Sequence, residues 1–66
     1  NESFEPGQKV EIVEGPLIGL RGELIECRGK NRFILRVEHI NSVFSVEIPS
    51  VSVTILPENY ITYSAY

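Results

Sequence analysis

The sequence has 66 residues, one cysteine and a formal net charge of −3. A chain this short forms one small domain with a thin core, and a lone cysteine excludes an internal disulfide and a Cys/His zinc site. The negative charge argues against a domain whose affinity comes from neutralising many phosphates, and the lack of a long apolar run predicts a cytoplasmic protein without a membrane segment.

The elements predicted in chain order are strands. Fifteen residues are Val or Ile, which suit strands better than helices. The segments that alternate apolar and polar residues, or otherwise match a strand, are 9–14, 22–27, 32–38, 43–48 and 51–55. Leu24 and Ile25 are adjacent and cannot share one face, so a bend or bulge is predicted near Gly22. Pro49 has no N–H to donate and should end the fourth strand.

The strand phase also predicts a core. The residues expected to face inward are Val10, Ile12, Phe33, Leu35, Val37, Phe44, Val46, Ile48, Val53 and Ile55, with Val51 in phase with the last two. Turns are predicted at 28–31 and 39–42. Five short strands with tight turns fit a small barrel or a strongly bent sheet.

The flanking segments differ in character. Residues 1–6 are interpreted as a linker, and the absence of methionine indicates a piece of a longer protein. Residues 57–66 contain Tyr60, Tyr63 and Tyr66 and are interpreted as an extended or disordered tail, with a partner-binding aromatic segment as the alternative.

The glycine-rich stretch "VEGPLIGLRGE" (13–23) raises the question of a ligand site. It lacks the Lys-Ser/Thr ending of a phosphate-binding loop, so its glycines are attributed to geometry. Gly22 is the position where a side chain would collide with a neighbouring strand. Pro16 fixes the exit of the loop, which presents three apolar side chains, Leu17, Ile18 and Leu20.

No catalytic arrangement is visible in the sequence. His39 is the only histidine and is interpreted as a surface residue, while Cys27 is interpreted as a small core filler. Neither an enzymatic activity nor a cofactor or metal is therefore expected.

The order and spacing of these elements resemble a known motif. Residues 7–38 look like a KOW motif, and continuation through "VFSVEIP" resembles the whole carboxy-terminal domain of NusG-type transcription elongation factors. The likeness covers residues 7 to about 56 and implies an all-β fold, a small five-stranded SH3-like barrel of KOW type. "EGPLIGLRGEL" and "SVEIP" are most similar to specialised NusG paralogues that regulate long bacterial polysaccharide operons.

The resemblance implies a non-catalytic recruitment domain in transcription elongation and antitermination. NusG-type domains dock through the first loop and the loop between the third and fourth strands, on a small-subunit ribosomal protein or on the termination factor Rho. The matching positions here are Leu17, Leu20, Ile40 and Asn41, with Phe44 beside them. A separate amino-terminal domain would hold RNA polymerase. The alternative for Ile40 is that it folds back onto the barrel.

Other interpretations remain open. Arg28, Lys30, Arg32 and Arg36 form a basic hairpin, which is either a solvated surface or a contact for nucleic acid or an acidic partner. A Tudor-like reader would need an exposed aromatic cage, which the pattern disfavours. Some NusG paralogues switch this domain from a helical hairpin to the barrel, and the Val and Ile content disfavours that helical state.

Overall fold

Residues 4–57 form an all-β barrel in the computed structural model, which describes that part of the chain. The strands are β1 (Lys9–Ile12), β2 (Arg21–Arg28), β3 (Arg32–His39), β4 (Ser42–Pro49) and β5 (Val53–Ile55), and a 3₁₀ turn spans Ser50–Ser52. The antiparallel sheet has the order β4-β3-β2-β1-β5. The five predicted strands are confirmed, and β4 ends at Pro49 as expected. The predicted tail lies outside the described residues from position 58 onward.

One apolar core lies inside the curled sheet. Its buried members are Val10, Ile12, Leu24, Phe33, Leu35, Val37, Val53 and Leu56. Phe44, Val46 and Ile48 are half-buried and pack against this core, as the alternating pattern of β4 predicts. The predicted set misses Leu24 and Leu56, and it places Ile55 inside although that residue is half-buried and outside the core cluster.

The irregularity of β2 lies at Ile25. The register with β3 shifts between Leu24 and Glu26, three residues beyond the predicted position near Gly22. Leu24 pairs with Leu35 and is buried, whereas Ile25 has no partner in the register and is 43% exposed. The bulge thus resolves the conflict between two adjacent apolar residues, since only one of them faces the core.

The prediction that Cys27 is buried is wrong. Cys27 is exposed, not a core filler, although its cross-strand partner Phe33 is buried. Cys27 is the residue before the last one of β2, beside the β2–β3 turn. Val51 is 77% exposed because it belongs to the 3₁₀ turn, where a two-residue period does not apply.

Gly22 lies too close to the backbone of β3 to carry a side chain. A Cβ atom at this position would lie 2.3 Å from the carbonyl oxygen of Arg36 and 3.2 Å from the Cα of Val37. Both atoms belong to the backbone of the neighbouring strand. They cannot move away without breaking the hydrogen bonds between β2 and β3. The predicted collision at Gly22 is confirmed.

The chain before β1 also packs on the barrel. The rings of Phe4 and Phe33 lie 4.7 Å apart between centroids and are tilted by 58°. The N–H of Gly7 donates to the carbonyl of Leu24 at 2.8 Å, which holds this segment along β2. Phe4 thus covers the end of the core that carries the β2–β3 turn.

Replacing Phe4 by Ala should weaken the barrel. The substitution removes an aromatic pair and part of the apolar cover of Phe33, and we expect the free energy of unfolding to fall by about 1 to 2 kcal/mol. Urea denaturation followed by circular dichroism measures this, with Phe4→Leu as the control that retains most of the apolar area. An unchanged midpoint for Phe4→Ala would show that the segment contributes no stability.

Candidate functional site

The strand register brings two loops to one end of the barrel. Gly22 pairs with Val37, and Val37 pairs with Phe44. The start of β2, the end of β3 and the start of β4 therefore lie at the same end of the sheet. The first loop (residues 13–20) leads into β2, and the β3–β4 turn follows β3, so both project from this end.

The first loop is a compact pair of turns. The N–H of Ile18 donates to the carbonyl of Gly15 at 3.2 Å, with Pro16 at the second position of that turn, where its fixed φ is favourable. The N–H of Gly19 donates to the carbonyl of Ile12 at 2.8 Å and closes the base of the loop. Gly15 and Gly19 have φ of 95° and 96°, which explains the glycines at these two positions.

The β3–β4 turn holds an isoleucine in an unfavourable conformation. His39 and Ser42 form the last pair of the hairpin, so Ile40 and Asn41 make the turn. Ile40 has a φ of 58°, the one positive φ outside glycine among the described residues, and its side chain is 87% exposed. A β-branched residue at positive φ is a genuine outlier, and such positions are usually filled by glycine or asparagine. No burial in the barrel compensates for this conformation.

The apolar side chains of the two loops and the start of β4 form a surface that we call the apolar rim. Its members are Leu17, Ile18, Leu20, Ile40, Val43 and Phe44. Ile18 and Val43 are 64% and 62% exposed, whereas Leu17, Leu20 and Phe44 are half-buried and pack against the core. The rim thus has three side chains that pack against the core and three that project into solvent.

The predicted docking residues fall on this rim with different exposures. Ile40 and Asn41 are exposed, and Ile40 does not fold back onto the barrel. Leu17, Leu20 and Phe44 contribute to the core as well as to the surface. Ile18 and Val43 are absent from the predicted docking set. Ile18 could have been recognised as an apolar residue inside a loop. Val43 could have been recognised as an apolar residue that faces outward on a strand beside a turn.

The predicted basic hairpin is largely neutralised by carboxylates. The Arg32 Nε lies 2.8 Å from Glu47, the Arg36 guanidinium 3.0 Å from Glu23, and the Arg28 Nε 3.6 Å from Glu26. Lys30, in the β2–β3 turn, has no ion pair within residues 4–57. All four cations are exposed. Their partners come from β2 and β4, which the sequence stretch 28–36 alone does not reveal.

The outer face of β1, β2 and β3 alternates in charge. Lys9 faces Glu23 across the ladder, and Glu23 faces Arg36. In the next row Glu11 faces Arg21, whose Nε lies 3.6 Å away. A shallow cleft of about 220 Å³ lies on this face, with walls that carry both signs of charge. The face therefore presents no extended basic track for a nucleic-acid backbone.

The described residues contain no group of His, Cys and acidic side chains arranged to hold a metal ion. His39 is exposed beside the β3–β4 turn, as predicted. In the part of the chain that the structure covers, none of the elements is a helix able to cross a bilayer.

Comparison with solved structures identifies a structural likeness. A chain in the crystal structure of the MjSpt4:Spt5 complex, conformation B, superposes with a TM-score of 0.75 at 29% sequence identity. The match covers 88% of this chain and 40% of that chain. No family model matches the sequence, and no curated protein matches it.

The likeness is to a relative of NusG. Spt5 is the NusG homologue and a component of a transcription elongation factor. The fold expected from the sequence, a small five-stranded SH3-like barrel of KOW type, is confirmed. This chain spans less than half of the matched chain, so the likeness concerns one domain of it.

Proposed function

We propose that this domain is the recruitment module of a NusG-like regulator of transcription elongation and antitermination, and that the apolar rim docks on another protein. The observation that carries the proposal is Ile40, which is 87% exposed at a φ of 58°. An exposed β-branched residue at positive φ destabilises the fold, because no burial of its side chain offsets the backbone strain. Strained positions of this kind cluster at functional sites. In a complex, a partner that buries the Ile40 side chain would provide the apolar burial that the isolated barrel lacks.

The rest of the rim fits a docking role. Leu17, Leu20 and Phe44 anchor the two loops to the core, so the exposed side chains are presented on a rigid base. A preorganised surface loses little conformational entropy on binding. The resemblance to NusG-type domains suggests a small-subunit ribosomal protein or the termination factor Rho as the partner.

The whole regulator would act by tethering. In this proposal a separate amino-terminal domain holds RNA polymerase, and the barrel carries the rim to its partner. A flexible connection raises the local concentration of the rim, so a modest interface suffices for recruitment. The barrel itself would perform no chemical step.

Chemical-shift titration of the isolated domain tests the proposal. With the ribosomal protein as the probe, we expect the largest amide shifts in residues 13–20 and 38–44, because these segments carry the rim. The termination factor is the second protein probe, and a single-stranded RNA is the comparison. Shifts centred on residues 28–36 with RNA, and none with either protein, would replace docking by nucleic-acid binding through the basic hairpin.

A further inference from the structure

The apolar rim is bordered by carboxylates and contains no cation. Segments 10–20 and 37–57 include no Lys or Arg, while Glu14 lies in the first loop and Glu38 lies near the end of β3. Both glutamates are exposed. Arg21 follows Leu20 at the start of β2 and lies 3.6 Å from Glu11, so the carboxylates beside the rim that form no ion pair within residues 4–57 are Glu14 and Glu38.

These two carboxylates differ from most of the others in the barrel. The ion pairs of the described residues use Glu11, Glu23, Glu26 and Glu47. Glu14 and Glu38 form none of these pairs. Glu38 borders the charged cleft that Arg21 and Arg36 also line, yet neither arginine pairs with it within 4.0 Å. The two charges therefore remain available to a partner.

From this distribution we infer that the partner of the apolar rim is a protein surface with an apolar centre and a border of Lys and Arg side chains. The inference rests on the proposed docking function and adds the charge of the partner to it. A cationic border would be attracted to Glu14 and Glu38 before contact, which raises the association rate, and would pair with them afterwards. An acidic partner or a nucleic acid would be repelled from the same end.

The test measures binding of the domain to the small-subunit ribosomal protein by calorimetry, at about 50 mM and about 300 mM NaCl. Glu14→Gln and Glu38→Gln should each weaken binding roughly two- to fivefold at low salt, and the difference from the wild type should shrink at high salt. Glu5→Gln is the matched control, because Glu5 is exposed, has no ion pair within residues 4–57 and precedes β1, at the other end of the barrel. It should bind like the wild type.

The outcomes separate the inference from the function on which it rests. Suppose that Ile40→Ser abolishes binding while both glutamine variants bind as well as or better than the wild type. The inference of a cationic border on the partner would then be wrong, and the docking function would stand. A wild-type domain that binds neither this probe nor the termination factor would overturn both. Circular dichroism confirms that each variant is folded before binding is measured.

Discussion

The Gly22→Ala variant should lose most of its folded population at room temperature. The added Cβ would meet the Arg36 carbonyl oxygen at 2.3 Å, and the carbonyl carbon of the same residue at 3.0 Å. Relief requires β2 and β3 to separate at the Gly22–Val37 pair, next to fully buried Val10 and Val37. We expect a loss of about 3 kcal/mol or more, close to the whole stability of a domain this small.

Gly29→Ala is the matched control for this prediction. Gly29 has a φ of 61°, and no atom lies within 4 Å of the Cβ that alanine would add. Its substitution costs only the backbone strain of an alanine at positive φ, about 1 to 2 kcal/mol. Urea titrations and amide spectra of the two variants give the comparison. If the two variants lost equal amounts of stability, β2 and β3 would be able to adjust to a methyl group at position 22. The contact between Gly22 and the backbone of β3 would then not be rigid.

The second prediction separates stability from docking at Ile40. Asparagine tolerates positive φ, so Ile40→Asn should raise the free energy of unfolding by about 1 kcal/mol. The same change removes the most exposed apolar side chain of the rim. Burial of an isoleucine is worth about 1.5 to 3 kcal/mol, and we therefore expect the affinity for the partner to fall at least about tenfold.

Ile25→Asn controls for the loss of an exposed isoleucine. Ile25 is 43% exposed and lies in the bulge of β2, outside the rim. Its substitution should leave the affinity unchanged. Thermal unfolding and calorimetry on both variants complete the test. A destabilised Ile40→Asn would show that Ile40 is held by the fold, and an undiminished affinity would remove it from the docking surface.

The strands and most of the core could be predicted because the two-residue period is a local signal. Val37 alternates with its polar neighbours Arg36 and Glu38, and it is fully buried. Cys27 was misplaced, and the predicted fifth strand began two residues too early, at Val51. Both features depend on contacts distant in sequence, which a local period does not carry. The bulge at Ile25 likewise depends on the register with β3.

The candidate site was predictable in part. The exposure of Ile40 follows from its place in a short turn between polar residues. Its positive φ does not, because isoleucine is among the residues least expected there. The neutralisation of Arg32 and Arg36 also escaped prediction, since Glu47 and Glu23 lie 15 and 13 residues away in sequence.

The alternating charges of the outer face also constrain how the sheet can assemble. A slip of one residue would turn the apolar side of a strand to solvent, but a slip of two would preserve the apolar pattern. Moving β2 past β3 by two residues places Arg21 opposite Arg36 in one direction and Glu23 opposite Glu38 in the other. Like charges directly across a ladder are unfavourable.

The same holds between β1 and β2. A two-residue slip would bring Lys9 opposite Arg21 or Glu11 opposite Glu23, depending on its direction. A two-residue slip at either of these two pairings, β1 with β2 or β2 with β3, is thus opposed by electrostatic repulsion. In a barrel with few core residues, these surface charges help the chain to find a single alignment during folding.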